Sequence, residues 1–406
     1  MFLQQGFEFA HVLALSRHLL AQGSDLQPTV LRLDHPSAIL AHGLWPHRLE
    51  NPLRTFVHGL LCVLMVTSVA AQEFPALAQV YAPHFKFGFG GLNDKVVRAG
   101  LAQTGSPIHS IVTQQSNILG INCFYPAQVH PKEGVYRWSD CEPLMAYADQ
   151  YPNKMRRGHV LFWPSNDRHH LEWLLSDSDG KPVTRAQAIE KLRNHVQTIV
   201  GRYRGRIQYW DVVNEAIDPQ QADGLRAGRW KDLLGEEMLD VAFSAAREAD
   251  PQAKLFYNDF QEWRPGKRER IFALVQRLKA KGLIDGIGLQ QHVSLTEPSV
   301  AELDQTLARF AQLGLEIHIT ELDVEANRNG QLSQITPELD AAIAQRYRAL
   351  FDVYMKYAGK ITAVMNWNVT DASSWLRNHP TPHATWPLLF DADGKPKAAF
   401  WALTKP

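Results

Sequence analysis

Trp210-Asp211-Val212-Val213-Asn214-Glu215 is the stretch that decides the fold. With Arg206-Ile207-Gln208-Tyr209 before it, it is rich in β-branched and aromatic residues, and its polar positions fall where strand alternation turns them toward the interior of a closed sheet. It ends in a glutamate. Further along, Leu315-Glu316-Ile317-His318-Ile319-Thr320 has the same character and runs into Glu321-Leu322-Asp323. Cleaving a glycosidic bond with retention needs one carboxylic acid to protonate the leaving oxygen and one carboxylate to attack, about 5–5.5 Å apart. Glu215 and Glu321 are the pair in this chain that fits.

Outward from these runs, strand and helix alternate. Ile189, Leu192, Val196, Ile199, Val200 and Tyr203 form one apolar helical stripe, opened by a capping box of Thr184 and Gln187. A second helix carries Ile271, Leu274, Val275 and Leu278, stops at Gly282 and feeds a strand-like run from Ile287 to His292. A third, capped by Ser299 with Glu302, presents Leu303, Leu307 and Phe310 ahead of the strand that ends at Glu321. Strand starts near Phe85, Ile118, Arg157, Ile207, Lys254, Gly286, Glu316 and Ile361 complete a set of the size a (β/α)8 TIM barrel needs, with room for a helix after each. In that α/β architecture active sites are assembled at the C-terminal ends of the strands, where both glutamates fall.

Several motifs in one order make a resemblance specific. From about residue 84 to the C-terminus the chain resembles glycoside hydrolase family 10, clan A barrels whose commonest activity is endo-1,4-β-xylanase. Trp210 to Glu215 resembles the family's acid/base motif, and Ile319 to Asp323 its nucleophile motif. Gln290 and His292 match Gly-x-Gln-x-His; Trp367-Asn368-Val369-Thr370-Asp371 with Ser374-Trp375 resembles the last-strand Trp-Gly-Val-Thr-Asp signature, with Asn368 in place of the glycine. Pro387-Leu388-Leu389-Phe390-Asp391 with Pro396-Lys397 also matches.

The resemblance implies a retaining two-glutamate mechanism with Glu215 as acid/base and Glu321 as nucleophile. Glu215 must hold its proton near neutral pH, and burial with the field of Glu321 is the expected cause. Asn214 is expected to donate to the sugar 2-hydroxyl. His292 is expected to hold Glu321, and Asp323 to orient His292; the alternative for His292 is an ordinary core histidine. Asn122, His159, Trp163, Gln290, Trp367 and Trp375 are the expected substrate contacts, the last two tryptophans as floor and wall for a sugar ring. Asn258 and Asp259, in Phe256-Tyr257-Asn258-Asp259-Phe260, are expected to support the acid/base glutamate. No cofactor and no metal are implied, since no Cys/His/carboxylate spacing backs a site at His169-His170.

The departures bear on substrate. Where the family carries Glu-Asn-x-Met-Lys, this chain has Ile121-Asn122-Cys123-Phe124-Tyr125, so the glutamate and lysine that bind the distal sugar are replaced. Arg157-Gly158-His159-Val160-Leu161-Phe162-Trp163 keeps the third-strand motif, but Pro164 follows where xylanases have a histidine. A site that reads hydroxyls discriminates by pairing them, so the non-reducing-side subsites are expected to be altered. The readings to separate are a xylan-cleaving endo-β-1,4-glycosidase, a glycosidase or transglycosylase on another short β-linked sugar, and an inactive carbohydrate-binding barrel.

Residues 54–71 have the basic flank, short apolar core and small residues of a secretory signal, which leaves 1–53 as an N-terminal extension or an over-extended translation start and 72–406 as the catalytic barrel. A secreted or periplasmic location follows as the expectation. Lys+Arg and Asp+Glu balance at 42 each, so no basic excess points to nucleic acid or an anionic membrane. With 45% hydrophobic residues and eleven tryptophans, the expected partner of the mature chain, read as a monomer with no membrane association, is a neutral polysaccharide or oligosaccharide. Cys62 lies in the signal-like segment; Cys123 and Cys141 are either a disulfide or two buried thiols.

Overall fold

The computed structural model describes residues 74–164 and 172–405, so the readings of 1–53 and 54–71 and of His169-His170 lie outside the described residues. Among the described residues the strands are β1 (Lys86–Leu92), β2 (Ile118–Ile121), β3 (Met155–Gly158), β4 (Tyr209–Asn214), β5 (Lys254–Asp259), β6 (Gly286–Leu289), β7 (His292–Ser294), β8 (Glu316–Glu325) and β9 (Ile361–Trp367). All pair in parallel, in the order β6-β5-β4-β3-β2-β1-β9-β8-β7, and a further pairing of β6 with β8 closes the sheet into a barrel. β7 stands outside the ring as a short extra strand on the end of β8.

Helices α1 (Pro107–Gln115), α2 (Glu142–Asp149), α3 (Arg185–Arg202), α4 (Glu237–Ala249), α5 (Pro265–Ala280), α6 (Val300–Ala311), α7 (Pro337–Lys356) and α8 (Ala398–Leu403) follow the barrel strands in turn. This is the expected (β/α)8 fold. The capping boxes at Thr184/Gln187 and Ser299/Glu302 both form and start α3 and α6 where the sequence places them. None of the described helices is long and apolar enough to cross a membrane.

Two boundaries differ from the sequence reading. β4 starts at Tyr209 rather than near Ile207, because the N–H groups of Arg206 and Ile207 still donate to the Tyr203 carbonyl at the end of α3. The run from Ile287 to His292 is not one strand, since Gln291 takes a left-handed φ of 58° and breaks it between β6 and β7.

The core has two parts. The large outer cluster fills the space between strands and helices, while Ile118, Tyr209, Phe256, Ala363 and Met365 pack inside the barrel. The interior then turns polar. Arg157 forms a buried ion pair with Asp211, lies 4.5 Å over the Phe256 ring and donates to Nδ1 of His318 at 2.9 Å. Burial pushes the His318 pKa down to about 4, which keeps that nitrogen free to accept. Outside the barrel wall, Trp210 lies flat on Gly158, where a Cβ would come within 2.3 Å of its ring.

Cys123 and Cys141 are joined in a disulfide, with Cα atoms 5.3 Å apart and a sequence separation of 18, which ties the segment after β2 to the start of α2. Closing a loop of that length is worth about 3 kcal/mol. A Cys123→Ser/Cys141→Ser variant should lose about that much stability in denaturant unfolding, and a reducing agent should lower the wild-type midpoint but not the variant's.

Candidate active site

The strands deliver their polar ends to one face. Asn214 closes β4 and Glu215 follows it; Asn258 and Asp259 close β5; Gln290 follows β6; Glu321 and Asp323 lie within β8; Trp367 closes β9. Glu215, Gln291 and Asn368 have positive φ values of 56°, 58° and 83°. Left-handed backbone is unfavourable for such residues and persists only where surrounding bonds hold it. Here it turns three strand ends sharply into the cleft.

An amide layer lies between the two glutamates. Gln290 Nε2 donates to Glu215 Oε1 at 2.9 Å, and Asn258 Nδ2 donates to Glu321 Oε1 at 2.7 Å. Both amides also donate to Asn214 Oδ1, at 3.2 and 2.9 Å, and Asn214 Nδ2 donates to Glu215 Oε1 at 3.2 Å. Gln290, expected to contact substrate, is thus a holder of Glu215. Asn258 serves both carboxylates, its side chain on Glu321 and its carbonyl on the Glu215 N–H at 2.9 Å. Thr320 Oγ1 fixes that amide by donating to Asn258 Oδ1 at 2.7 Å.

On its other side Glu321 meets the expected dyad. His292 Nε2 lies 3.1 Å from Glu321 Oε2 and its Nδ1 lies 3.0 Å from Asp323 Oδ2. Trp375 Nε1 also donates to Asp323 Oδ2, at 2.9 Å, so this tryptophan, expected as a wall for the sugar, anchors the dyad.

The two glutamates sit in opposite fields. Burial would lower the His292 pKa, but the charges of Asp323 and Glu321 outweigh it and hold it well above the ordinary histidine value. His292 is therefore a cation against Glu321. Burial pushes the Glu215 pKa up and Glu321 adds to it, as expected, with the Asp259 carboxylate a larger contributor that the sequence reading did not name for this task. Arg226 acts the other way, with Nη2 3.7 Å from Glu215 Oε2. One carboxyl is pushed toward its protonated form, and the other is bonded to a histidine that a second carboxyl also faces.

His159 is buried and bonded through Nδ1 to Asp211 Oδ2 at 3.0 Å; its ring lies edge-on to Trp367 at 5.3 Å and to Tyr125 at 5.7 Å. Tyr125 stacks on Trp163 at 5.9 Å. Burial raises the Tyr125 pKa, and the charges of Glu321 and Glu215 add to it. Asn122 is buried beside it, and among the described residues its Oδ1 has no hydrogen-bond partner. Ile121 belongs to the core of β2. Among the described residues no three His, Cys, Asp or Glu side chains converge as metal ligands do. Sequence reasoning missed Arg226 and Lys267, which reach the site from a loop and a helix. It also gave Asp211 no task.

A parallel (β/α)8 barrel whose C-terminal face carries one buried carboxyl with a raised pKa and a second carboxyl bonded to a histidine has the arrangement of a glycoside hydrolase site. The profile of glycosyl hydrolase family 10 matches residues 76–406. Endo-1,4-beta-xylanase B of Paenibacillus barcinonensis is 35% identical over 339 residues, 82% of this chain and 98% of that protein. Endo-1,4-beta-xylanase A of Thermotoga neapolitana is 35% identical over 343 residues, and there the chain spans only 31% of the relative's length. The crystal structure of an endo-1,4-beta-xylanase from Caldicellulosiruptor owensensis superimposes with a TM-score of 0.75 at 33% identity, over 82% of this chain and all of that one. The chain belongs to glycosyl hydrolase family 10.

A carboxyl poised like Glu215 donates only while protonated. Its pKa is raised, so kcat/KM on glycosides with poor leaving groups should hold past the ordinary glutamate range and fall as pH rises through the shifted value. Glu215→Ala should cost about 10²- to 10⁴-fold in kcat/KM on the same substrates and should erase that alkaline limb in a pH–rate profile.

Proposed function

We propose that the chain is a retaining endo-β-1,4-glycosidase acting on plant polysaccharide, with xylan as its substrate and Glu215 and Glu321 as its reacting carboxyls. The observation that carries this is the unequal treatment of the two glutamates across one shared amide layer. Glu321 attacks the anomeric carbon while Glu215 gives its proton to the leaving oxygen, and the C–O bond breaks to leave a glycosyl ester on Glu321. Water, deprotonated by the now ionised Glu215, then attacks the same carbon and releases Glu321. Asn214 faces the 2-hydroxyl; Trp367 and Trp375 line the ring site; Asn122, His159 and Trp163 complete the glycone side. The named relatives, endo-1,4-beta-xylanases at about a third identity, support the substrate class.

A second reading has its own observation. Tyr125 stacked on Trp163, with Pro164 beside it, makes the glycone side aromatic where the family resemblance implies a lysine and a histidine. Such a wall favours a short or differently substituted β-linked sugar. Export to the periplasm or medium is part of the proposal and draws on the signal-like segment 54–71 and on the Cys123–Cys141 bond, which oxidising compartments preserve. We read the exported form as a monomer, and N-terminal sequencing of it locates the mature start.

Product profiles on xylan, mixed-linkage glucan and short aryl β-glycosides test the function. Xylo-oligosaccharides of retained anomeric configuration by NMR are expected, and Glu321→Ala should abolish them. Inverted products, or hydrolysis surviving in Glu321→Ala, contradict the mechanism. Cleavage confined to short aryl glycosides favours the second reading, and ligand binding without cleavage makes the chain a carbohydrate-binding barrel.

A further inference from the structure

Behind Glu215 lies a buried charged cluster that touches neither the other glutamate nor the open cleft. Asp259, at the end of β5, accepts from Lys267 Nζ of α5 at 2.6 Å, from the Phe260 N–H at 2.9 Å and from the Tyr257 hydroxyl at 2.5 Å. The ion pair is almost wholly removed from water, with side-chain exposures of 4% and 1%. The Tyr257 oxygen in turn accepts from the N–H of Ala216, the residue after Glu215, at 3.0 Å. On the opposite side of the same peptides, Arg226 Nε donates to the Glu215 carbonyl at 2.7 Å and the Arg226 N–H donates to the Ala216 carbonyl at 2.8 Å. A glutamate with φ of 56° is thus gripped on both flanks.

We propose that Lys267, Asp259 and Tyr257 form a positioning relay that fixes the backbone turn at Glu215 and aims a buried negative charge at it, so that Glu215 keeps its proton until the leaving group needs it. The inference rests on the reading of Glu215 as acid/base. It adds the residues that give that carboxyl its proton-holding character, none of which need touch the sugar.

Burying a charge is costly unless it is paired and hydrogen-bonded, and Asp259 is both. Lys267 neutralises it from α5 while also lying 3.5 Å over the Phe260 ring. Of the two members of the pair, it is the Asp259 charge that Glu215 feels, ahead of every other charged neighbour. The charged or titratable groups facing Glu215 are Asp259 and Tyr257 from β5, Arg226 from the loop after β4, Glu321 from β8 and Tyr125 from the segment after β2. Asp259 and Glu321 favour its proton; Arg226 opposes them. The tyrosines stay neutral, both raised by burial first.

The test compares two substrates in the full-length enzyme, a β-xylobioside with an unactivated leaving group and its dinitrophenyl counterpart, which departs without a proton. Asp259→Asn removes the charge and keeps the shape. It should move the alkaline limb of kcat/KM on the unactivated substrate down by about one pH unit, with kcat/KM on the dinitrophenyl substrate within about twofold of wild type. Tyr257→Phe removes the acceptor of the Ala216 N–H, and with it one grip on the turn, and should also move the limb down; Arg226→Gln removes an opposing cation and should move it up. Circular dichroism checks folding, and if Asp259→Asn does not fold, the Tyr257→Phe limb decides. A limb that stays in place, or an equal fall on both substrates, overturns the relay. Glu215→Ala separates this from failure of the parent reading: if that variant keeps the alkaline limb, Glu215 is not the acid at all.

Discussion

The pairing of β6 with β8 is the constraint on which the site depends. Its register, Gly286 with Glu316 through Leu289 with Ile319, closes the ring and brings the end of β6 alongside Glu321. Immediately beyond, the Glu321 N–H donates to the Gln290 carbonyl, and then Gln291 turns left-handed. That single reversal sends Gln290 toward Glu215 and lets His292 pair again with β8, opposite Asp323. A strand that ran straight through Gln291 would follow the pleat and could not serve both carboxylates. Sheet closure thus sets the distance between the halves of the site, and one strained residue distributes their ligands.

Once closure brings two carboxyls together, electrostatics must keep them different. Like charges in a poorly solvated site compete for one proton unless their surroundings separate them. The barrel does this with two dyads of opposite sense. His292 brings positive charge to Glu321 and is itself held by Asp323 and, through that, by Trp375. Asp259 brings negative charge to Glu215 and is itself held by Lys267 and Tyr257. Each first partner is anchored by a second residue from a neighbouring element, so the asymmetry is built into the packing of β5, β7, β8, α5 and the turn at Trp375.

Much of this was legible in the chain because it rests on local rules. Capping boxes start α3 and α6 at Thr184 and Ser299, apolar stripes mark the helices, and β-branched runs mark strands buried on both faces. The glutamates are legible because their motifs are contiguous, and the His292–Asp323 dyad because the family resemblance places a histidine in that network. What could not be read lies across elements. Nothing in Pro265-Gly266-Lys267 says that the lysine folds back on Asp259, nor does any spacing say that Asn258 reaches across to Glu321. The break at Gln291 was hidden because its neighbours are good strand formers, and tertiary bonds overrode their preference. The Cys123–Cys141 bond needed coordinates for the same reason, since proximity is not written in spacing.

The same distinction between local and long-range determinants separates mechanism from substrate choice. The reacting half of the site hangs on β4 to β8, whose ends are cross-bonded through Asn214, Asn258 and Gln290, so a change at any of them disturbs both carboxyls. The segments after β2 and β3, which the proposed function assigns to the glycone side, lie apart from that layer. There Tyr125 meets Trp163 and His159 through ring contacts, and His159 is bonded to Asp211. Ring contacts of this kind tolerate exchange of one aromatic or apolar surface for another far better than a bonded network tolerates loss of a donor. The disulfide pins the segment at Cys123, two residues before Tyr125, so its shape is held independently of what its side chains recognise.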